Sequence, residues 1–162
     1  MTYASRFVLL DCSFAYNEFK GDVVGARWRL IYMANIALLR TVYHVLKQRD
    51  AAANPRLASA VKRWDADLLR SKPKPEIYWE FIVSERNQLL KEYQSAPVRN
   101  VVTPEIEFDL STGKTRELGT LRQHYLMEDG IFEGEDQRRL IKRAIEWWVV
   151  QLDALDQAAS AA

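Results

Sequence analysis

The residues of this chain best suited to chemistry lie in one predicted helix, residues 78–93. At about 100° per residue, a helix over this segment places its apolar side chains in one stripe, and Arg86 falls in the middle of that stripe. A guanidinium keeps its charge and is almost never buried without partners. Arg86 therefore needs a carboxylate, a bound anion or a second chain. The apolar positions of the stripe are Tyr78, Ile82, Leu89 and Tyr93.

Arg86 has a structural and a functional interpretation, and the sequence leaves both open. In the structural one it forms a buried or interface ion pair, either with Glu85 at the edge of its own helix or with an acidic group of a neighbouring element. In the functional one it lines a groove that binds RNA. Asn87 and Lys91 lie four residues apart and share a helix face, so they would act together beside it.

The segment Glu85-Arg86-Asn87-Gln88-Leu89-Leu90-Lys91-Glu92-Tyr93 resembles the motif of the HEPN superfamily, the "higher eukaryotes and prokaryotes nucleotide-binding" domains. That motif has an arginine, then an asparagine, aspartate or histidine, and a histidine roughly one turn later. The resemblance implies an antiparallel helical bundle that dimerises so that two motifs face each other. Many members are metal-independent ribonucleases of toxin and antiviral systems. The resemblance makes Arg86, Asn87 and Lys91 the candidate catalytic residues, with Lys91 where the family has its histidine.

A second candidate group lies on the long helix predicted over residues 22–49. Arg40 and His44 are adjacent there at a spacing of four, on the narrow polar face that also carries Lys47. They could contact an RNA phosphate or a carboxylate, and histidine is the side chain that ordinarily titrates near neutrality. The alternative is a simple solvated face. With Glu85, Arg40 and His44 complete the candidate binding residues.

Composition limits the possible partners. The 162 residues fit a single domain, and a formal net charge of +1 gives no global attraction to nucleic acid or anionic lipid. The lone Cys12 cannot form an intramolecular disulfide, and the N-terminus lacks a signal-peptide pattern, so a cytoplasmic location is expected. The most apolar run, residues 28–46, is interrupted by polar side chains, so no membrane span is expected. The interrupting residues are Arg29, Asn35, Arg40 and His44.

Several common motifs are absent from the sequence. It has no glycine-rich phosphate loop, no zinc-ligand spacing and no Gly-x-Ser-x-Gly elbow. We therefore expect no metal and no cofactor, and the usual support for a nucleotide hydrolase, a zinc enzyme or an esterase of that type is missing.

Helical periodicity predicts five helices: residues 3–20 with Gly21 ending the first, 22–49, 56–70, 78–93, and a last one after Asp136. A break is predicted at residues 51–55, where Asn54 suits a cap and Pro55 a first helical turn. Residues 71–75 contain two prolines and stop the third helix.

A hairpin is predicted inside this helical chain. Residues 105–110 alternate strictly, which is typical of a half-buried strand with one acidic face, and Ser111-Thr112-Gly113 turns it. Lys114 and Arg116 would then oppose Glu107 and Asp109 across the hairpin. A second hairpin turn is predicted at Asp129-Gly130.

Together these patterns predict one helical domain over residues 1–162, an antiparallel bundle of four to five helices with a small β-hairpin insertion at about residues 99–133. We expect a HEPN-like module of a bacterial defence or toxin–antitoxin system, either RNA-binding or a metal-independent ribonuclease. The alternative is a non-catalytic homodimeric module for protein interaction. A homodimer is expected in both cases, because a second subunit would satisfy Arg86 and the Trp147-Trp148 pair better than solvent.

Overall fold

A computed structural model describes residues 1–19, 23–93 and 98–161, and it is mostly helical with one antiparallel β-hairpin. This confirms the predicted helical class and the hairpin insertion. The predicted helix end at Gly21 lies outside the described residues. In chain order the main α-helices are α1 (Tyr3–Asn17), α2 (Gly25–Val45), α3 (Pro55–Arg70), α4 (Ser84–Glu92) and α5 (Gln137–Ser160).

The long second helix does not break at its three alanines. It continues from α2 as a π-helical segment, Leu46–Asp50, and then as one α-helical turn, Ala51–Ala53. The break predicted at residues 51–55 therefore falls at Asn54 alone, because alanine is the best helix former and the three alanines continue the helix. The predicted cap is confirmed. Asn54 Oδ1 accepts hydrogen bonds from the backbone N–H groups of Arg56 (3.0 Å) and Leu57 (3.2 Å), with Pro55 between them.

A second π-helical segment, Ile77–Val83, runs directly into α4 and changes which side chains face inward. Phe81, Glu85 and Leu89 are buried at a regular spacing of four residues, whereas Arg86 is only half-buried. The prediction that Arg86 centres the apolar stripe is therefore wrong. It assumed α-helical rotation throughout, and the wider i to i+5 turns shift the phase of everything that follows. Tyr93, predicted on the stripe, is exposed and ends α4 in the left-handed region with φ 53°.

The core lies where α1 and α3 pack against α5, α1 packs against α2, and the π-helical segment Ile77–Val83 packs against both α2 and α5. Trp148 is fully buried, and its Nε1–H donates to the carbonyl of Leu39 at 3.0 Å. Trp147 is half-buried with its ring 5.2 Å from that of Tyr78. The tryptophan pair is thus largely satisfied within the chain, which removes one of the two reasons for expecting a homodimer.

Helix α1 is tied down by carboxylates from two other elements. Asp50 accepts hydrogen bonds from the backbone N–H groups of Ala4 (2.9 Å) and Ser5 (2.8 Å), which satisfies donors that the first turn of a helix leaves open. Asp156 of α5 accepts from the N–H of Thr2 at 2.8 Å and forms an ion pair with Arg6 at 3.0 Å.

The hairpin has the predicted register but is longer than predicted. Strand β1 (Val98–Asp109) pairs with β2 (Lys114–Met127), with a register shift between Pro104 and Ile106. The pairs Glu107 with Arg116 and Asp109 with Lys114 confirm the predicted charge pairing across the strands.

The far half of the hairpin is exposed on both faces, so the prediction of a half-buried strand is wrong. Ile106, Phe108 and Leu110 are each more than half exposed because nothing in the described chain covers that face. The base of the hairpin is anchored, since Tyr125 stacks on Trp28 with ring centroids 4.0 Å apart. The chain reversal predicted at Asp129-Gly130 is present, since Leu126 pairs antiparallel with Asp136. The connection is longer than a two-residue hairpin turn, because Gly130–Phe132 forms a single turn of 3-10 helix there.

None of the helices in the described residues is both long and apolar enough to cross a membrane.

Candidate functional site

The candidate site is built on one face of α2 and of the π-helical turn that continues it, where Arg40, Tyr43, His44 and Lys47 recur at spacings of three and four residues. The sequence alone identifies this face as polar. The structure adds what faces it: Asp65 from α3, Tyr78 from the π-helical segment Ile77–Val83, and Arg86 from α4. We call this group of seven residues the α2 site.

Arg40 is held in place by two tyrosine rings. Its Nη1 donates a hydrogen bond to the Tyr78 hydroxyl, and its Cζ lies 4.5 Å from the centroid of the Tyr43 ring. A guanidinium that stacks on an aromatic face is oriented without being neutralised. Arg40 is half-buried and keeps its charge available, which is more than a solvated polar face provides.

Lys47 and Asp65 form the one ion pair of the α2 site. Lys47 Nζ lies 2.6 Å from Asp65 Oδ2 and 3.0 Å from the Tyr43 hydroxyl, and that hydroxyl donates to Asp65 Oδ1 at 2.7 Å. The hydrogen bond to Asp65 is the main reason that the pKa of Lys47 is raised above its ordinary value. Both partners are partly buried, and Lys47 stays charged.

His44 is exposed and surrounded by positive charge. Partial burial lowers its pKa most, and the charges of Arg40, Arg86 and Lys47 lower it further. Its ring lies edge-on to Tyr43 with centroids 5.5 Å apart. His44 is thus a neutral imidazole near neutral pH, and Arg86 of α4 lies close enough for its charge to act on a histidine of α2.

Arg86 and Glu85 point to different places. Arg86 is half-buried, and its Nη1 donates to Asn87 Oδ1 at 3.2 Å. Within the described part of the chain, Arg86 forms no ion pair, so the expected pairing with Glu85 is absent. Glu85 is only 2% exposed and accepts a hydrogen bond from the Tyr32 hydroxyl at 2.7 Å. Tyr32 is a buried residue of α2 and is not one of the seven residues of the α2 site.

Three of the six predicted site residues, Arg40, His44 and Arg86, are therefore connected, because both arginine charges lower the pKa of His44. Asn87 joins them through its hydrogen bond to Arg86. Lys91 is exposed and is not among the charges that act on His44, so nothing connects it to this group.

The α2 site can bind an anion and accept a proton. The α2 site contains three permanent cations, Arg40, Lys47 and Arg86, and one carboxylate, that of Asp65, which leaves an excess of positive charge that acts on a neutral imidazole. Sequence analysis missed Tyr43, Asp65 and Tyr78. The spacing of Tyr43 on α2 was a usable signal, but Asp65 and Tyr78 come from other elements and nothing local marks them.

Among the described residues, no group of three or more histidine, cysteine, aspartate or glutamate side chains is placed to hold a metal ion. Cys12 is fully buried, and burial raises the pKa of its thiol to about 12.

Comparison with models of protein families, with curated proteins and with solved structures finds no match to this chain.

Proposed function

We propose that this chain is a HEPN-like module of a bacterial defence or toxin–antitoxin system that binds RNA and cleaves it without a metal ion. The observation that carries the proposal is that α4 packs against α2, so that the positive charge of the motif arginine, Arg86, lowers the pKa of His44. The motif helix has Lys91 where the family has histidine, and the histidine on which the charge of the motif arginine acts is His44 of α2. The proposal includes an antiparallel bundle arrangement of the helices and a homodimer in which two such sites face each other.

The chemistry follows from the charges of the α2 site. Arg40 and Arg86 hold an RNA phosphate and offset the charge that builds up on it. His44, neutral because its pKa is lowered, takes the proton from the ribose 2′-hydroxyl. The 2′-oxygen then bonds to phosphorus while the bond from phosphorus to the 5′-oxygen breaks, and the departing oxygen takes up a proton. No step requires a metal.

Binding to a short fluorescein-labelled single-stranded RNA tests the first half of the proposal. Arg86→Ala and Arg40→Ala should weaken binding, and each should reduce the salt dependence of log K by about 0.7, the loss of one phosphate contact on a single strand. Arg63→Ala, which removes an exposed arginine of α3, is the matched control. It should change both the affinity and the salt dependence of log K less than the other two variants do. Equal effects of all three variants would refute a site at α2.

Cleavage of the same RNA in the presence of a chelator tests the second half. His44→Gln should bind RNA with nearly unchanged affinity but cleave it roughly 100-fold or more slowly, the usual contribution of a general base. Lys91→Ala should leave cleavage intact. If Lys91→Ala abolishes cleavage and His44→Gln does not, the base has been assigned to the wrong residue.

A second candidate function is a non-catalytic homodimeric interaction module, and an exposed apolar stripe on α1 favours it. Four side chains at spacings of four, three and four residues face away from the core. Three are aromatic and about two-thirds exposed, which amounts to roughly 300–500 Å² at 150–250 Å² per ring. The stripe consists of Tyr3 (65% exposed), Phe7 (67%), Leu10 (49%) and Phe14 (62%).

A second copy of the chain is the occupant that this stripe fits. A stable interface buries about 800 Å² on each partner, and the α1 stripe supplies about half of that. Leu30, Ala34 and Ala37 repeat the same spacing on the outer face of α2, where the small alanines permit close approach. In a two-fold antiparallel pairing of α1 with its copy, Tyr3 would face Phe14 and Phe7 would face Leu10, so the surface is self-complementary. A dimer with no RNA binding or cleavage would favour this second function.

A further inference from the structure

Another set of reactive side chains lies where the hairpin meets the start of α5. His124 of β2 stands between two partners: its Nδ1 is 3.1 Å from Asp136 Oδ2, and its Nε2 is 3.0 Å from Thr103 Oγ1 of β1. A hydroxyl, an imidazole and a carboxylate therefore follow one another at hydrogen-bond distance. This is the order that activates a hydroxyl as a nucleophile.

The carboxylate fixes how the imidazole is protonated. Asp136 is 7% exposed and caps α5, where its Oδ1 accepts from the backbone N–H of Arg138 at 2.8 Å. An ionised Asp136 can only accept hydrogen bonds, so Nδ1 of a neutral His124 carries the proton. Nε2 is then an acceptor, and the Thr103 hydroxyl donates to it.

This arrangement exceeds what the fold needs. Asn54 caps α3 through two backbone N–H groups with no histidine behind it, so the cap of α5 does not require His124. Position 103 is in a strand, where valine would pack as well as threonine and would form no such hydrogen bond.

The group is accessible from solvent. The His124 side chain is 29% exposed, and Thr103 is half-exposed. His124 and Asp136 line a cleft of about 280 Å³, close to the lower limit of ordinary ligand sites. Arg139, on the same cleft, is exposed and forms no ion pair with any described residue. The other lining residues are Tyr16, Asn17, Phe19 and Arg138.

We infer that Thr103 and His124 form a nucleophile and general base, with Asp136 as a positioning residue, for acyl transfer from small esters that carry a negative charge. Thr103 Oγ forms a bond to the ester carbonyl carbon as its proton passes to His124 Nε2. The bond to the ester oxygen breaks, and the alcohol leaves with that proton. Water, deprotonated by the now neutral His124, hydrolyses the acyl-threonine and restores the hydroxyl. Arg139 attracts the negative group of the ester.

A fluorophosphonate probe tests the nucleophile directly, because a bond from oxygen to phosphorus forms as fluoride leaves. Intact mass and peptide mapping should show one adduct, on Thr103. Thr103→Val should give none, while Thr41→Val is the control and should label normally, since the Thr41 hydroxyl only donates to a carbonyl of its own helix. His124→Gln should be labelled at least about 100-fold more slowly than the unmodified protein. Circular dichroism establishes that each variant is folded.

Asp136→Asn separates positioning from capping. Asparagine caps a helix about as well as aspartate but loses the buried ion pair with Arg138 at 3.5 Å, so the melting temperature should fall while the helix start is kept, and labelling is compared at a temperature where the variant is folded. Labelling should nevertheless become much slower, because an amide can donate to Nδ1 and favour the wrong tautomer. Arg139→Ala should slow hydrolysis of a negatively charged nitrophenyl ester more than that of its neutral counterpart.

Three results would overturn the inference. The first is no adduct on the unmodified protein at a large excess of probe, and the second is an adduct on a residue other than Thr103. The third is wild-type labelling by His124→Gln. None of these results depends on RNA binding at the α2 site, so a failure of the esterase proposal and a failure of the RNA proposal can be told apart.

Discussion

At the scale of single residues, Glu85 is a carboxylate that the core has to accommodate. A carboxylate with 2% exposure is costly unless hydrogen bonds stabilise it, and Tyr32 donates one at 2.7 Å. Burial, and then the same carboxylate, raise the pKa of Tyr32 well above its ordinary value, so the tyrosine remains a donor at all physiological pH.

Tyr32→Phe should therefore destabilise the protein by roughly 1–3 kcal/mol, because it removes the donor to a buried acceptor. Urea denaturation followed by circular dichroism measures this. Tyr3→Phe, at an exposed position of α1, should change the free energy of unfolding by less than about 0.5 kcal/mol. Equal stability of the two variants would mean that other contacts suffice to hold Glu85.

Removing a cation from the α2 site should raise the pKa of His44. Burial is the main cause of the lowered pKa and would persist, but the contributions of Arg40 and Arg86 would each be lost in turn. NMR titration of the imidazole in Arg40→Ala and Arg86→Ala measures the shift, with Arg63→Ala as the control. No change in Arg86→Ala would show that α4 does not reach His44.

The lowered pKa of His44 also determines in which direction stability changes with pH. The folded protein binds a proton at His44 less readily than the unfolded chain, so the contribution of His44 to stability is complete above the ordinary histidine pKa. It is lost as pH falls through the folded-state pKa.

At this scale the sequence predicted Arg40, His44 and Lys47 as one group because helical spacing is local information. It could not predict that Arg86 joins them, since that depends on how α4 packs beside α2. The sequence-based prediction also exchanged the environments of Glu85 and Arg86, because nothing in the sequence indicates the π-helical segment before them.

At the scale of elements, the hairpin combines an anchored base with an exposed far half. Tyr125 on Trp28 holds the base, and the Asp109 carboxylate organises the turn by accepting from Ser111 and Thr112. Those hydrogen bonds lower the pKa of Asp109 to about 2. The geometry of the turn is therefore set by hydrogen bonds between its own residues.

Replacing residues 105–118 with a short glycine-serine loop should leave the helical signal and the cooperative melt nearly unchanged. Ile106, Phe108 and Leu110 are too exposed to contribute to the core. Circular dichroism and thermal melting test this, and cutting instead into the base, with Tyr125→Ala, should lower the melting temperature. An unfolded loop variant would place these three side chains in the core after all.

The sequence predicted the charge pairs of the hairpin correctly because a short turn fixes which residues can face each other. It failed on burial because an alternating strand has the same pattern whether or not a second layer covers it. The break predicted at residues 51–55 began too early for a comparable reason, because three alanines continue a helix unless something stops them.

At the scale of the whole molecule, the exposed α1 stripe should make the chain a homodimer at tens of micromolar. Light scattering measures the mass. Phe7→Glu should shift it to the monomer, because the new charge would lie at the centre of the interface, whereas Leu69→Glu on α3 should not. A monomeric unmodified protein would contradict both proposed functions, since each includes the homodimer.

The π-helical segment Ile77–Val83 sets which side chains of α4 face the interior. A π-helical turn holds one residue more than an α-helical turn, so deleting one residue within it and restoring i to i+4 bonding would leave the side chains of α4 on their present faces. Deleting Ser84, at the start of α4, would instead advance the following side chains by one position, a rotation of about 100°. Arg86 would then take the inward position now held by Glu85, and a buried acid would be exchanged for a buried base. The wide turn is thus a place where the chain could lose a residue and still keep the carboxylate inside.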